Sequence, residues 1–437
     1  MKNSKIITGF SRLSKNQKVD LVASQVKHNQ KFADTLRSSW HRDPHVQKLY
    51  DEFSENTLSN YFFPYGVAPN FLINRRYYFV PMVIEESSVV AAAAGSAKFW
   101  AERGGFHSEV IALKKIGQVH FLWKSDIRPL QEAFPELRKL LLERTAPITM
   151  SMKNRGGGIL DIELVDMTEN IPHYYQLKAT FDTRDSMGAN FINSCLEEFA
   201  DILREFIQDD DRFNASDLDV IMSILTNYAP ECRVRTWVEC DLDRQQGFDD
   251  HFSDQEFIQR FRTAVCISRV DVHRAATHNK GIFNGIDAVA LATGNDFRAI
   301  EACGHSWASR DGQYRGLSEV SLDDGKFRFS LEIPLALGTV GGLTSLHPLA
   351  KYSLELLGNP DAPTLMQIAS AAGLANNYAA VKSLVTKGIQ KGHMKMHLLN
   401  ILNVFHATET EKKQAVEHFK HEKVSYSSVS KFIESIR

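Results

Sequence analysis

Residues 174–208 read YYQLKATFDTRDSMGANFINSCLEEFADILREFIQ, and this stretch decides most of the fold prediction. Its first nine residues, Tyr174–Asp182, are typical of a β-strand. After the turn at residues 185–190, apolar side chains recur at steps of four, three, four and three residues, at Ile192, Leu196, Phe199, Leu203 and Phe206. That spacing predicts an amphipathic helix. The stretch therefore predicts a strand, a turn and a helix in immediate succession.

The neighbouring segments extend this unit to a small domain. Their patterns predict a strand region at Val110–Leu113 and Gln118–Trp123, a helix over Pro129–Arg144, and strands over Ile159–Val165 and Asp219–Leu225. With the stretch above, the order of elements is βαββαβ, the split pattern of a ferredoxin-like domain. We therefore expect an α+β protein with a separate small domain at residues 113–226.

Length and composition limit the class of protein. The chain has 437 residues, of which 43% are hydrophobic and 24% charged, and its net charge is −2. These values are ordinary for a folded protein of two or three domains. The near-neutral balance argues against a protein that coats nucleic acid or an anionic membrane. We therefore expect no nucleic-acid partner.

Targeting and metal-binding patterns are weak or missing. The first twenty residues lack the apolar run of a signal peptide, and no stretch of 18 uncharged apolar residues predicts a membrane span. The five cysteines are scattered without a CxxC pair, which argues against a disulfide framework and a cysteine-built zinc site. The GxGxxG and P-loop motifs are absent, and His421-Glu422 lacks the second histidine of a zincin helix. We expect a cytoplasmic protein that binds neither a membrane nor a metal.

Five short motifs, in order along the chain, resemble one family. They are VIEESSVVA at residues 83–91, DSMGAN at 185–190, HRAATHNKG at 273–281, ATGND at 292–296 and GIQKGHM at 388–394. Together they resemble 3-hydroxy-3-methylglutaryl-coenzyme A (HMG-CoA) reductase of class II, the soluble bacterial type. The resemblance runs from Arg12 to His393, and five motifs in order are far more specific than any one of them.

The resemblance implies a domain arrangement and an activity. Residues 1–112 and 227–384 would form a large coenzyme A-binding domain, residues 113–226 an inserted nicotinamide-nucleotide domain, and residues 385–437 a helical C-terminal flap. The family reduces (S)-HMG-CoA to mevalonate and CoA with two NAD(P)H, or runs the reverse reaction, in the mevalonate pathway of isoprenoid metabolism. It builds its site across a dimer interface, which implies a homo-oligomer of at least two copies. The alternative is a non-catalytic protein of the same fold that binds an acyl-CoA or a nucleotide.

Two of the implied catalytic residues act on the carbonyl oxygen. Each hydride addition puts negative charge on an oxygen, so a fixed cation is needed there. Lys280 resembles that cation, although a lysine taken alone is more often a solvated surface residue. Glu86 resembles the general acid that protonates the same oxygen. Glu85 is the adjacent rival, and the register of the EESSVVA motif favours Glu86.

Two further catalytic residues are implied by the same resemblance. Asp296 resembles the carboxylate that orients the lysine and tunes the glutamate, although it could also be an exposed turn residue. His393 resembles the histidine that protonates the departing CoA thiolate, a task suited to an imidazole near neutral pH. His397 lies one helical turn further along and is the competing candidate.

The binding residues carry over less specifically. Met187, Gly188, Ala189 and Asn190, with Asp185 before them, open a helix whose unpaired amides and positive end suit a dinucleotide phosphate. The residues that match the acyl-CoA contacts of the family are Ser88, Arg274, Asn284, Asn376 and Asn377, with Arg12 towards the CoA nucleotide. The Asn376-Asn377 pair departs from the Gln-Asn pair that is usual in the family.

The preference between NADPH and NADH is predicted from one short stretch. In relatives that prefer NADH, an aspartate precedes the glycine turn of the small domain. Here residues 144–160 contain no acidic residue, and Thr149 lies near that position. Lys153 and Arg155 could approach a 2′-phosphate, which favours a nearby cation. We expect NADPH to be preferred over NADH, the alternative being that both cations are simply solvated.

Overall fold

A computed structural model describes residues 6–437 except 245, 387, 389–397, 421 and 423. The strands are β1 (Tyr65–Ile73), β2 (Arg76–Val83), β3 (His107–Trp123), β4 (Gly158–Asp166), β5 (Tyr174–Asp182), β6 (Leu218–Leu225), β7 (Cys232–Asp241), β8 (Ser318–Ser321) and β9 (Lys326–Pro334). The helices up to the middle of the chain are α1 (Lys15–Ala23), α2 (Asn29–Ser38), α3 (Pro44–Asp51), α4 (Val89–Ala101), α5 (Arg128–Arg144), α6 (Ala146–Asn154) and α7 (Ala189–Gln208). Those that follow are α8 (Asp254–Val270), α9 (Val272–Ala292), α10 (Phe297–Ala308), α11 (Leu343–Leu346), α12 (Pro348–Leu356), α13 (Ala362–Val385), α14 (Glu409–His418) and α15 (Tyr426–Ile436).

A single long strand, β3, belongs to both halves of the main sheet. Its first part, His107–Leu113, pairs with β7. From Lys114 onward it pairs with β5, and over Gly117–Trp123 it also pairs with β6 on the other side. The sequence predicted a strand region here, and the structure joins it into one strand of 17 residues. The predicted domain limit between residues 112 and 113 lies beside the point where the pairing partner changes.

The small part of the molecule has the ferredoxin-like arrangement that the sequence predicted. Its strands lie in the order β4-β5-β3-β6, and every pair is antiparallel. The apolar face of α7 covers this sheet, where Leu196, Phe199 and Leu203 are fully buried with Val119 and Phe121 of β3. The predicted α+β fold class is therefore confirmed.

One element of the small part was missed. The sequence patterns predict no element between Arg144 and the glycine turn, but residues Ala146–Asn154 form the helix α6. Pro147 stands in the first turn, where its missing N–H costs no hydrogen bond. Thr149 and Met152 are buried against the rest of the small part, so burial holds a short helix whose apolar spacing is too brief to recognise.

The large part packs α4, α8, α9 and α13 against the β1–β2 hairpin and the β7–β9–β8 strands. Helices α9 and α13 pack closely against each other. A Cβ atom at Gly285 would come within 2.3 Å of the Ala372 carbonyl oxygen, so the two backbones can approach this closely only at a glycine. This contact fixes the position of α9, which carries the HNKG motif.

The end of the chain is helical where the structure describes it. Residues 398–404, α14 and α15 share a separate apolar cluster that includes Leu402, Phe419 and Val429. Among the described residues, no helix is both long and apolar enough to cross a membrane.

Candidate active site

Lys280 and Glu86 form the centre of the candidate site. Glu86 lies in the turn that leads into α4, and Lys280 lies in the middle of α9. The Lys280 Nζ atom donates to Glu86 Oε2 at 2.6 Å, a short charge-assisted hydrogen bond. The side chains are 61% and 38% exposed, so solvent or a ligand reaches both. Of the two adjacent carboxylates, Glu86 rather than Glu85 makes this ion pair.

The residues before Lys280 anchor α9 on its buried side. His278 is 1% exposed, and its Nε2 atom lies 2.6 Å from Ser318 Oγ. Asn279 donates to the Arg315 carbonyl oxygen at 2.9 Å. Burial, together with a nearby guanidinium, lowers the pKa of His278 to about 3, so the imidazole is neutral at physiological pH. These buried contacts leave the next residue, Lys280, on the exposed side of the helix.

Three of the predicted substrate contacts lie on the two elements that carry the ion pair. Ser88 is the half-buried residue that precedes α4. Asn284 follows Lys280 by one helical turn on α9, which places it on the same face. Arg274 is half-buried on the first part of α9, where burial lowers its pKa against the opposing effect of Asp271. The structure thus brings Ser88 and Asn284 to the neighbourhood of the ion pair, whereas Arg274 lies almost two helical turns before Lys280 on α9.

The two predicted asparagine contacts are engaged inside the protein. Asn377 accepts from Ser318 Oγ at 2.8 Å and donates to the His278 carbonyl oxygen at 3.3 Å. Asn376 donates to the Ala372 carbonyl oxygen at 3.2 Å. Both residues are almost fully buried. Their contact with substrate stays a prediction, and the observed role of Asn377 is to join α13 to α9.

Asp296 lies away from Lys280 within one chain. Twelve residues of α9 separate Lys280 from Ala292, which corresponds to about 18 Å of helix, and Asp296 follows that end. Its carboxylate caps α10 by accepting from the Arg298 and Ala299 amides, and it pairs with the Arg298 guanidinium at 3.0 Å. Burial acts to raise the pKa of Asp296, but these hydrogen bonds outweigh it and the pKa is lowered.

Arg12 is the remaining predicted acyl-CoA contact, and His393 is the remaining predicted catalytic residue. Arg12 lies in an exposed 3₁₀ turn, Phe10–Arg12, near the start of the described chain. His393 and its rival His397 lie outside the described residues.

The predicted nucleotide loop has a conformation that depends on glycine. Gly188 has φ +93° and precedes α7, and a Cβ atom there would come within 2.4 Å of the Thr183 side chain. Ala189 and Asn190 then form the first turn of α7, whose amides have no partner within the helix. A glycine cap followed by such amides fits the phosphate of a nicotinamide nucleotide.

The rest of this loop is attached to the large part of the molecule. Asp185 Oδ1 accepts from the amide of Ala362, the first residue of α13, at 2.8 Å. A Cβ atom at Gly338 would come within 2.5 Å of the Met187 amide nitrogen, so that segment lies directly against the loop.

A cationic side chain that sequence reasoning missed lies between the nucleotide loop and the glycine turn. Arg184 donates to the Gly156 carbonyl oxygen, and its φ of +49° is unusual for a residue with a side chain. Lys153 and Arg155 stand at the end of α6 on the same turn. Thr149 is fully buried in α6 and cannot itself face a ligand. The only signal for Arg184 was its place immediately before the DSMGAN motif.

The described part of the chain contains no group of three or more His, Cys, Asp or Glu side chains able to hold a metal ion.

Comparisons with known proteins agree with this architecture. Two solved structures of the class II HMG-CoA reductase from Streptococcus pneumoniae resemble the chain. One has a TM-score of 0.72 and 33% sequence identity, covering 98% of this chain and 99% of the other. The second, bound to NADPH in open conformations, has a TM-score of 0.70 and 34% identity, covering 87% and 99%. The class that the fold defines is therefore that of the class II reductases.

Sequence comparison gives the same family. The family model described as hydroxymethylglutaryl-coenzyme A reductase matches residues 16–398. The 3-hydroxy-3-methylglutaryl-coenzyme A reductase of Archaeoglobus fulgidus is 36% identical over 370 residues, which cover 84% of this chain and 80% of that protein. A probable reductase of Borreliella burgdorferi is 30% identical over 407 residues, covering 92% and 89%. The chain belongs to the hydroxymethylglutaryl-coenzyme A reductase family, oxidoreductases of the mevalonate pathway.

Proposed function

We propose that this chain reduces (S)-HMG-CoA to mevalonate and CoA with two equivalents of NADPH, and that it can catalyse the reverse reaction. The observation that carries the proposal is the Lys280–Glu86 ion pair at 2.6 Å, formed by two motifs 194 residues apart. Exposed lysine–carboxylate pairs occur elsewhere on this chain, but this pair joins the two motifs whose residues resemble the cation and the general acid of the family. The pair therefore favours catalysis over the alternative, a non-catalytic protein that binds an acyl-CoA or a nucleotide.

The ion pair accounts for both reductions of the carbonyl carbon. The nicotinamide nucleotide, when bound, supplies one hydride to the thioester and a second to the aldehyde. Lys280 stabilises the negative charge that develops on the carbonyl oxygen in each step. Glu86, in contact with the same ammonium, would give a proton to that oxygen, a step for which its carboxyl group must first take up a proton. Because the two side chains are in contact, a proton can pass between the lysine and the carboxyl group, and the charge on each group changes with it.

Release of CoA requires one more proton donor. The first reduction gives a thiohemiacetal, whose C–S bond breaks to leave mevaldehyde and a CoA thiolate. We assign protonation of that thiolate to His393, because a thiol re-attacks the aldehyde much less readily than a thiolate. The C-terminal segment 385–437 would act as the flap that brings His393 to the site.

Asp296 requires a second copy of the chain in this scheme. Within one copy it is separated from Lys280 by about 18 Å of α9, too far for direct contact. Asp296 is adjacent to Asn295, which lines a cleft of about 550 Å³ together with exposed aromatic side chains, including Phe62. We infer that this apolar face joins two copies, and that Asp296 of one copy reaches the Lys280 site of the other.

The apolar face is large enough to suggest association. Its members are the large apolar side chains that line the cleft and remain more than a third exposed: Tyr61, Phe62, Phe63, Tyr65, Leu291, Leu343 and Leu349. Exposed apolar groups of this number are unusual on a monomer and typical of an interface. A homodimer is therefore the smallest assembly that we propose.

The preference for NADPH is a separate proposal. The glycine turn next to the nucleotide loop has Lys153, Arg155 and Arg184 around it and no acidic residue between 144 and 160. Cations favour a 2′-phosphate, whereas NAD sites usually place an acid against the ribose hydroxyl. The ratio of kcat/KM for NADPH to that for NADH should exceed one, and an Arg184→Ser variant should reduce it. A wild-type preference for NADH would contradict this proposal without affecting the assigned reaction.

The proposed reaction is tested with the purified full chain. HMG-CoA and NADPH are mixed with the protein, and loss of absorbance at the nicotinamide band is followed together with release of free thiol. Two nucleotides should be oxidised for each thiol released. If the protein binds either ligand but oxidises no nucleotide in either direction, the non-catalytic alternative replaces the proposal.

A further inference from the structure

A second lysine, Lys115, is buried where the two parts of the molecule meet. It is the second residue of β3 after the change of partner from β7 to β5, and it pairs with Phe181 of β5. Lys115 is only 6% exposed. Burying a charged ammonium is costly unless hydrogen bonds compensate, so the contacts of this side chain need an explanation.

The Lys115 ammonium closes a small ring of hydrogen bonds beneath the nucleotide loop. Its Nζ atom donates to Thr183 Oγ1 at 2.5 Å and to the Ser186 carbonyl oxygen at 2.8 Å. The Thr183 hydroxyl in turn donates to the same carbonyl oxygen at 2.7 Å. The four-residue turn 183–186 is therefore fixed by a side chain from a different strand, just before Gly188 begins α7.

Neighbouring groups only partly oppose the effect of burial on the ammonium, so its pKa is lowered overall. Burial lowers the pKa of Lys115, whereas Cys232, Asp182 and Asp185 act to raise it. None of these three groups is an acceptor in the ring, because the ammonium bonds to a hydroxyl and a carbonyl oxygen. The bonds of Lys115 thus serve the shape of the turn.

The large part of the molecule holds the opposite side of the same loop. The Asp185 carbonyl oxygen accepts from the Thr339 amide at 2.8 Å, and Ser186 forms a parallel bridge with Val340. The Asp185 carboxylate accepts from the start of α13. The loop therefore lies between Lys115 on one side and residues 338–340 on the other, with little freedom at either.

We propose that Lys115 is a positioning residue for the nicotinamide nucleotide, holding the 183–188 turn and hence the amino end of α7 in the conformation that receives the phosphate. This inference rests on the proposed function, because it assumes that the nucleotide binds at residues 185–190. Lys115 itself does not touch the nucleotide in this scheme and acts only through Thr183 and Ser186.

The test removes the ammonium while keeping the length of the side chain. Lys115→Met should raise the Kd for NADPH, measured by fluorescence of the bound nucleotide, by about tenfold or more, the loss expected for one or two hydrogen bonds from a charged donor. The KM for HMG-CoA should stay within about twofold, since the substrate residues lie on other elements. Lys114→Met is the matched control: that lysine is one residue away, is 49% exposed, and pairs with Glu231 at the surface.

A second variant guards against a folding defect in the first. Thr183→Val keeps the buried shape and removes one acceptor of the ammonium, so it should weaken NADPH binding in the same direction but by less. If Lys115→Met does not fold, Thr183→Val decides the question alone. Unchanged NADPH affinity in the folded variants, or an equal loss of affinity for both ligands, would overturn the inference. Failure of the wild-type protein to bind NADPH would instead overturn the proposed function.

Discussion

Two lysines with opposite surroundings occupy the two regions that the proposed reaction needs. Lys280 is 61% exposed and bonds to a carboxylate, whereas Lys115 is 6% exposed and bonds to a hydroxyl and a carbonyl oxygen. The first can exchange its partner for a substrate oxygen, because solvent already reaches it. The second cannot, because it is buried and its bonds hold the 183–186 turn in place. The difference distinguishes a lysine that can take part in the reaction from a lysine that stabilises the conformation of a turn.

The largest expected effect lies at the exposed lysine. Lys280→Ala should reduce turnover by at least about 10²–10³-fold, because the oxyanion loses its stabilising charge. The fold should be unaffected, since the side chain is mostly in solvent. Steady-state rates and a thermal unfolding curve measure the two properties, with Lys98→Ala, an exposed lysine on α4, as the control. Near wild-type turnover in the folded variant would show that Lys280 is not needed for the reaction, and the proposed difference between the two lysines would be wrong.

The next effect concerns the release of CoA, a step in which Lys280 has no proposed role. His393→Gln should slow the reactions in which CoA leaves by about 10²-fold, the usual contribution of a general acid. Reduction of free mevaldehyde has no thiolate leaving group and should survive much better. Rates with HMG-CoA and with mevaldehyde are compared for this variant and for His397→Gln. Equal damage to both reactions would remove the assigned role and direct attention to His397.

A smaller effect is expected at the apolar face that we propose as a dimer interface. Phe62→Asp puts a charge on a side chain that is 68% exposed, so the single copy should still fold. The dissociation constant of the dimer, measured by sedimentation, should rise by roughly tenfold or more. This is about the loss expected when one unpaired charge is buried in the interface. Turnover should fall with the dimer fraction, because Asp296 must come from the second copy.

Ile221→Asp provides the control for that experiment. Ile221 is 54% exposed on β6, in the small part of the molecule and away from the apolar face. Its replacement should leave the association unchanged. If Phe62→Asp gives a monomer with full activity, the site is complete within one copy and the inferred role of Asp296 is wrong.

The smallest effect on turnover is expected from a buried carboxyl group on α9, whose ionisation changes the stability of the protein with pH. Burial raises the pKa of Asp287 to about 8, and the Glu301 carboxylate acts in the same direction. A raised acid pKa means that the folded protein holds a proton that the unfolded chain releases above about pH 4. The stability from this group is thus present below about pH 4 and is lost as the pH rises towards 8.

Replacing Asp287 by asparagine should remove that loss. Wild type should lose about 3–4 kcal/mol of unfolding free energy between pH 5 and pH 8 through this group, about 1.4 kcal/mol for each pH unit, and Asp287→Asn should not show that loss. Urea unfolding at both pH values measures the difference, with the exposed Asp323→Asn as the control. An identical pH dependence in Asp287→Asn and wild type would contradict the prediction.

Local patterns were sufficient to predict much of the small part of the molecule. The strand Tyr174–Asp182 was predicted at its observed limits, and α7 was predicted because its apolar side chains repeat over about four turns. Both signals lie within the element that they predict. The contact of Glu86 with Lys280 is different, since 194 residues separate them. Only the resemblance to a family suggested that they meet.

The features that sequence reasoning missed all depend on contacts between distant segments. The helix α6 is stabilised by burial of Thr149 and Met152 and has little periodicity of its own. Arg184 is significant only because the end of β5 lies beside Gly158, the first residue of β4. The sequence around Lys115 resembles that of an ordinary strand lysine, and only the structure shows that its side chain contacts the turn at Thr183. Asp296 could be matched to a motif, but not assigned to one copy or the other.

The change of partner along β3 has a consequence for how the small part could have been acquired. Leu113, the last residue of β3 that pairs with β7, lies opposite Cys232, the first residue of β7. The chain therefore leaves the large part and returns to it at neighbouring positions on adjacent antiparallel strands. Without residues 114–231, those two strands would need only a tight turn to form an ordinary β-hairpin. In topological terms, the small domain is an insertion at the turn of a β-hairpin. A shortened chain with a two-residue turn in place of residues 114–231 would test whether the large part folds alone.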